Sequence, residues 1–203
     1  MIWAYALLGL AAGALLNIAS DNLPKRPVGT GGDASIPLRR AIVELAMAIL
    51  FAYLWRRHGP SPRLVLLSLY TCVLLLILVI DLEHCLVPNA VILPATSLVL
   101  LANLVYPDPG LGNALLGGAI GFGLFCPMAL AWRGAMGAGD VKLAALIGLM
   151  AGFPQVIVAL TVGISIGGLV ALFLLLTGIK DRRSYIPYAP FLAMGGMAAL
   201  LWG

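Results

Sequence analysis

The chain has 203 residues, of which 62% are hydrophobic and 10% charged, where soluble domains average about 45–50% apolar and about 25% charged residues. That composition excludes an ordinary soluble protein. Twelve Lys and Arg against eight Asp and Glu leave a formal charge of +4, spread too thinly through apolar sequence to form a nucleic-acid-binding stripe, so no nucleic-acid partner is expected and the basic excess reads as membrane orientation.

Each helical crossing of a bilayer needs roughly 20 mostly apolar residues. Residues 2–20 supply the first, with no basic segment ahead of it and no small-residue cleavage pattern behind it, which favours a retained span over a signal peptide. A Gly- and Pro-rich loop over 21–40 follows. Spans two to five are expected at 41–55, 64–80, 90–106 (interrupted by Pro94) and 111–132. The uncharged stretch 143–179 is about twice the length one crossing needs, and Gly152-Phe153-Pro154-Gln155 breaks it. It divides into a short sixth helix at 140–152 and a seventh at 155–178, and 187–202 closes the set. The expected fold is all-α and polytopic, with about eight transmembrane helices forming one integral-membrane domain over 1–203, with the lipid bilayer as its surroundings.

Lys and Arg in short loops set the orientation. With the amino terminus outside, Lys25, Arg26, Arg39, Arg40, Arg133, Lys142, Lys180, Arg182 and Arg183 lie inside, nine of the twelve, and Arg56, Arg57 and Arg63 dissent in one outer loop. The spacings Gly117/Gly121, Gly148/Gly152 and Gly163/Gly167 suit close helix packing in lipid. Cys72, Cys85 and Cys126 show no CxxC pairing, which argues against a zinc knuckle or a disulfide framework. With only His58 and His84 and no HExxH, no metal is expected.

The eight acids sort by position. Asp21, Asp33, Asp108 and Asp181 fall in loops, where a solvated charge is unremarked. Glu44 lies one turn into span two, where a lone carboxylate is expensive unless paired, so Arg39 or Arg40 is its expected partner and a substrate-binding role the other reading. Asp81 follows an unbroken apolar run and Asp140 opens the short sixth helix after Gly137-Ala138-Gly139. Singly, Asp81 could be an interfacial helix end and Asp140 an N-cap; as two acids on the same cytosolic edge they read better as a catalytic dyad. Two neighbouring carboxyls do not both ionise readily, so one can take a proton from an attacking water while the other donates to a peptide carbonyl. Gly137 and Gly139 would let a substrate strand approach the acid, and Lys142 would steady the acid or the loop. A His84/Cys85 pair is weaker, since adjacency alone does not make a nucleophile and base.

At these residues the chain resembles the type IV prepilin leader peptidases, membrane aspartic peptidases with a GxGD motif. The similarity is carried by Met136-Gly137-Ala138-Gly139-Asp140-Val141-Lys142-Leu143 and by Ile80-Asp81-Leu82-Glu83-His84 followed by Leu86-Val87-Pro88-Asn89. Gly13 to Asn17 with Leu23-Pro24, residues 39–45 with Glu44, and Ile186-Pro187-Tyr188-Ala189-Pro190-Phe191 extend it along nearly the whole chain. The resemblance implies Asp81 and Asp140 as the catalytic pair. It also implies prepilin and pseudopilin substrates, cut after a Gly at the end of a short basic leader, in the inner or plasma membrane with the site facing the cytosol. The peptidase chemistry requires no cofactor. Many bacterial members also N-methylate the new amino terminus with S-adenosylmethionine and carry a cytosolic insert with CxxC pairs; residues 25–40 hold no cysteine, so that cofactor is expected only if the methyltransferase activity is retained. Asn89 stands where the family often has Asp. Two readings of other classes remain at this level: a proton- or ion-coupled transporter, disfavoured by acids at helix ends, and a non-catalytic pilus or secretion assembly factor.

Overall fold

A computed structural model describes residues 1–23, 35–131, 137–177 and 188–203. Among them the chain is helical, with α1 at Ile2–Asn22, α2 at Ser35–His58, α3 at Pro62–His84 and α4 at Asn89–Val105. The second half adds α5 at Leu111–Ala131, α6 at Ala138–Ala151, α7 at Gln155–Leu176 and α8 at Ala189–Trp202. All eight expected helices are present. α2 starts at Ser35 rather than 41, with Pro37 in its first turn, where a missing N–H breaks no helical bond. α3 runs through Asp81 to His84 instead of stopping before the acid. Lys25, Arg26, Asp33, Arg133, Lys180, Asp181, Arg182 and Arg183 lie outside the described residues.

The protein is an integral membrane protein. α1, α3, α5 and α7, of 21 to 23 residues, are long and apolar enough to cross a bilayer. α2 is longer but carries arginines at both ends, while α4 has 17 residues and α6 and α8 have 14 each. Fourteen residues rise only about 21 Å, short of the roughly 30 Å hydrocarbon layer. The shortness of α6 is as expected, and α8 matches it. Both short helices are largely buried and pack on one another and, through α8, on α3, whereas α1, α5 and α7 turn most of their apolar surface outward. Large side chains such as Leu7, Leu15, Leu169 and Phe173 are exposed there, as lipid-facing residues should be.

Lipid tails are as apolar as leucine, so helices associate in a bilayer by close van der Waals approach rather than by hydrophobic expulsion. The most extensive helix contacts join α1 to α2, α5 to α6 and α7 to α8, and glycines back each pair. A Cβ on Gly13 would stand 2.7 Å from Glu44 Cα, one on Gly117 2.2 Å from the Gly148 carbonyl oxygen, and one on Gly195 2.2 Å from that of Ala159. The Gly117/Gly121 and Gly163/Gly167 spacings are thus packing devices. At the end of the bundle away from Asp81, two of the three dissenting arginines are engaged. Arg63 pairs with Asp108 at 3.2 Å, and Arg57 donates to the Trp202 carbonyl at the end of α8 at 2.8 Å.

Gly117→Ala is expected to wedge α5 from α6 and cost about 1–3 kcal/mol, as overpacking does. Gly123→Ala on the same helix, where an added Cβ meets open space, is expected to be neutral or mildly stabilising, by up to about 1 kcal/mol. Thermal unfolding of the two variants in one detergent checks the contrast.

Candidate functional site

Asp81 stands in the last turn of α3 and Asp140 in the first turn of α6, and both are almost fully buried, at 2% and 3% exposure. Such burial of acids is expensive unless partners or a function compensate it. Asp140 is the third helical residue and not the N-cap. Gly137 holds the cap position, its N–H donating to Asp140 Oδ2 at 3.2 Å while its carbonyl accepts the Asp140 N–H at 3.1 Å. This is one half of a capping box, the other half being impossible because glycine has no side chain.

Beyond Asp81 the helix ends on Cys85, whose φ of 48° is left-handed and whose N–H closes on the Asp81 carbonyl at 2.8 Å. That turn sends residues 85–89 across the start of α6. Between the two segments lies a cleft of about 310 Å³. Asp81, Cys85, Val87 and Asn89 line it from one side, and Gly137, Gly139, Asp140 and Lys142 from the other. The acids of α3 and α6 therefore share one cleft. Among the described residues Asp81 Oδ2 is buried and has no hydrogen-bond partner.

The other expected site residues divide. Gly137 and Lys142 line the cleft, but Lys142 Nζ donates to Asn89 Oδ1 at 2.9 Å, tying α6 to the start of α4 rather than steadying either acid. Gly139 lines the cleft too, and its lack of a side chain also matters for packing. A Cβ there would meet Val87 Cβ at 2.8 Å, so that face of the glycine is filled by the 85–89 segment. Glu44 does not line the cleft; it lies between α1 and α2 and accepts from Asn17 Nδ2 at 3.3 Å, an amide that also donates to the Arg40 carbonyl at 3.2 Å. Its expected arginine partners are taken elsewhere, since Arg39 bonds Asp21 and Glu83 and Arg40 bonds Asp21. Asp21 is accordingly an ion-paired residue at the end of α1, not a solvated loop charge. His84 is absent from the cleft lining and lies 3.9 Å from Glu83. Among the described residues no group of three or more His, Cys, Asp or Glu is placed to hold a metal.

Three residues escaped the sequence reasoning: Val87, Asn89 as the acceptor for Lys142, and Glu83 as an Arg39 partner. The available signal was their position soon after Asp81, Glu83 in the same helical turn and Val87 and Asn89 in the segment that lies against the α6 start.

An all-helical membrane protein with two buried acids at one end of the bundle is the class that this fold and site define. More narrowly, the chain belongs to the type IV leader peptidase family, whose model matches residues 68–172, a stretch containing both acids. It is similar to a protein of Bacillus subtilis (strain 168) named "Prepilin leader peptidase/N-methyltransferase", 32% identical over 160 residues, covering 79% of this chain and 64% of that protein. A protein of the same name from Pseudomonas aeruginosa is 31% identical over 177 residues, covering 84% of this chain and 60% of its own length. One from Aeromonas hydrophila is 31% identical over 178 residues, covering 85% and 61% respectively. The chain thus spans between 60% and 64% of the length of these curated relatives. No solved structure matches it.

The Gly139/Val87 contact makes a direct prediction. Gly139→Ala is expected to destabilise the protein by about 1–3 kcal/mol through overpacking, and adding Val87→Ala to recover most of that loss. Equal thermal unfolding of the single and double variants would show that the contact is not the cause.

Proposed function

We propose that the chain is an aspartic endopeptidase of the bacterial inner membrane that removes the short basic leader of type IV prepilins and pseudopilins at the cytosolic face, with Asp81 and Asp140 as its catalytic pair. The observation that carries this reading is two nearly fully buried carboxylates, from two different helices, lining one cleft in a member of the leader peptidase family. The orientation rests on the nine basic residues assigned to that side. A basic leader is held in the cytosol by the same bias while the apolar helix behind it enters the bilayer, which puts the scissile bond at the membrane edge.

In this mechanism one carboxylate, ionised, accepts a proton from a water whose oxygen bonds to the peptide carbonyl carbon. The partner, protonated, gives its proton to the carbonyl oxygen, yielding a neutral tetrahedral diol. On collapse the C–N bond breaks, the first carboxyl passes its proton to the leaving amine, and the second recovers its own from the diol hydroxyl. The pair is restored with no net proton change. Gly137 orients Asp140 by its N–H, and the Lys142–Asn89 bond holds the cleft rim together. The relatives' name also includes N-methyltransferase. Among the described residues the Asp81/Asp140 cleft is lined by no aromatic ring that could stack a purine, and no step is derived through S-adenosylmethionine. Residues 25–40 hold no cysteine where many family members carry a CxxC insert, and on that ground we propose leader removal with methylation of the new amino terminus disfavoured.

Incubating the purified chain with candidate prepilins and S-adenosylmethionine, and reading the products by mass spectrometry, tests both parts. Cleavage after the leader glycine with no added methyl is expected. Asp81→Asn and Asp140→Asn should each reduce the rate by at least about a thousandfold, as loss of an essential member of a unit does. The pH profile should be bell-shaped, falling in acid as the ionised member is protonated and in alkali as the other loses its proton. Undiminished cleavage by either variant would remove the pair from the mechanism, and a mass gain of one methyl group would reinstate the transferase.

A further inference from the structure

One guanidinium at the Asp81 end of the bundle serves three helices. Arg39, near the start of α2, directs Nη2 to Asp21 Oδ1 at the end of α1, 2.7 Å away, and Nη1 to Glu83 Oε1 in the last turn of α3. The second Asp21 oxygen accepts from Arg40 Nη2 at 2.8 Å. Glu83 shares that final turn with Asp81. α1 and α2 each touch α3 less extensively than they touch one another, and an apolar groove of about 500 Å³ opens between α2 and α3 beneath the Arg39–Glu83 contact. Ile42 and Ala46 line one wall of the groove and Leu75, Leu78 and Leu82 the other. Farther along the bundle Met47 and Leu54 of α2 share the buried core with Leu67 and Leu74 of α3, and at the Asp81 end the Arg39–Glu83 bond bridges the groove.

Partly exposed ion pairs add little to global stability, whereas misplacing a reacting group by about 1 Å costs about a hundredfold in rate. From this contrast we infer that Arg39 is a positioning residue. By holding Glu83 it keeps the last turn of α3, and with it the Asp81 carboxylate, in register with the α6 start, and Asp21 holds Arg39 in turn. The inference rests on the peptidase reading of the Asp81/Asp140 cleft. The choice of arginine fits the role. Its planar fork reaches two carboxylates at once in fixed geometry, whereas a lysine ammonium is a point charge on a flexible stem.

The test uses the full chain in lipid nanodiscs, with two readouts: kcat and KM for prepilin cleavage, and amide hydrogen exchange at the end of α3, where the Cys85 N–H is bonded to the Asp81 carbonyl. Arg39→Gln and Glu83→Gln are each expected to lower kcat about tenfold with KM nearly unchanged, the signature of a defect expressed in the transition state. The double variant should be no worse than the poorer single one, because both remove the same tie. Arg39→Lys should recover part of kcat. Exchange at the Cys85 amide should quicken in both single variants while the other helices keep their protection. Effects on kcat that multiply in the double variant would overturn the inference, as would unchanged exchange at Cys85 or exchange that quickens evenly along the chain. A wild-type chain that cleaves no leader would count against the peptidase reading alone, since the exchange measurement still decides whether Arg39 holds the end of α3.

Discussion

The structure depends on the free energy of placing charge in an apolar medium. A carboxylate or guanidinium left alone among hydrocarbon is penalised by several kcal/mol or more, so every charge in this chain has to be at a helix end, bonded to a partner, or held for a purpose. Asp21, Arg39, Arg40 and Glu83 satisfy the condition by pairing across three helix ends, and Arg63 and Asp108 do so at the opposite end of the bundle. Asp81 and Asp140 are the acids for which pairing does not account. They are buried deeper than any of these, face one cleft, and among the described residues have between them one hydrogen bond, from the Gly137 N–H.

Glycine contacts make such a cleft possible at this size. Backbone-to-backbone packing of α5 on α6 through Gly117, Gly121 and Gly148 sets the depth of α6, and α7 on α8 through Gly163 and Gly195 sets that of α8. Two helices of 14 residues are thereby held inside a ring of longer ones. The first turn of α6 lies beside the last turn of α3, and Asp140 shares a cleft with Asp81. Gly139 completes the junction by allowing Val87 to sit against the helix start.

Much of this was legible in the chain. Hydropathy and charge located eight helices, and the break at Gly152 to Gln155 was visible as a run of turn-forming residues inside an overlong apolar stretch. The position of Asp81 after an apolar run, and of Asp140 after two glycines, singled out the pair that the structure brings into one cleft. Glu44 was misread because an arginine close by in the sequence looked like the natural partner. On a helix, Arg39 and Arg40 reach outward to the ends of α1 and α3, and Glu44 instead meets Asn17 across the close α1–α2 contact. The role of Gly139 was likewise hidden, since a missing side chain does not say what fills its place.

Length, hydropathy and the sequence positions of charge are one-dimensional quantities, and they suffice to decide that this chain forms membrane helices, where those helices break and which acids stand near their ends. Which charges touch is a three-dimensional matter. Asp81 and Asp140 are brought together by the packing of α6 and α8 among the longer helices, and the choice of Glu83 and Asp21 over Glu44 for Arg39 follows from where neighbouring helix ends fall. A helix rotates its side chains by about 100° per residue. Sequence proximity therefore leaves the partner of a charge open until the neighbouring helices are in place.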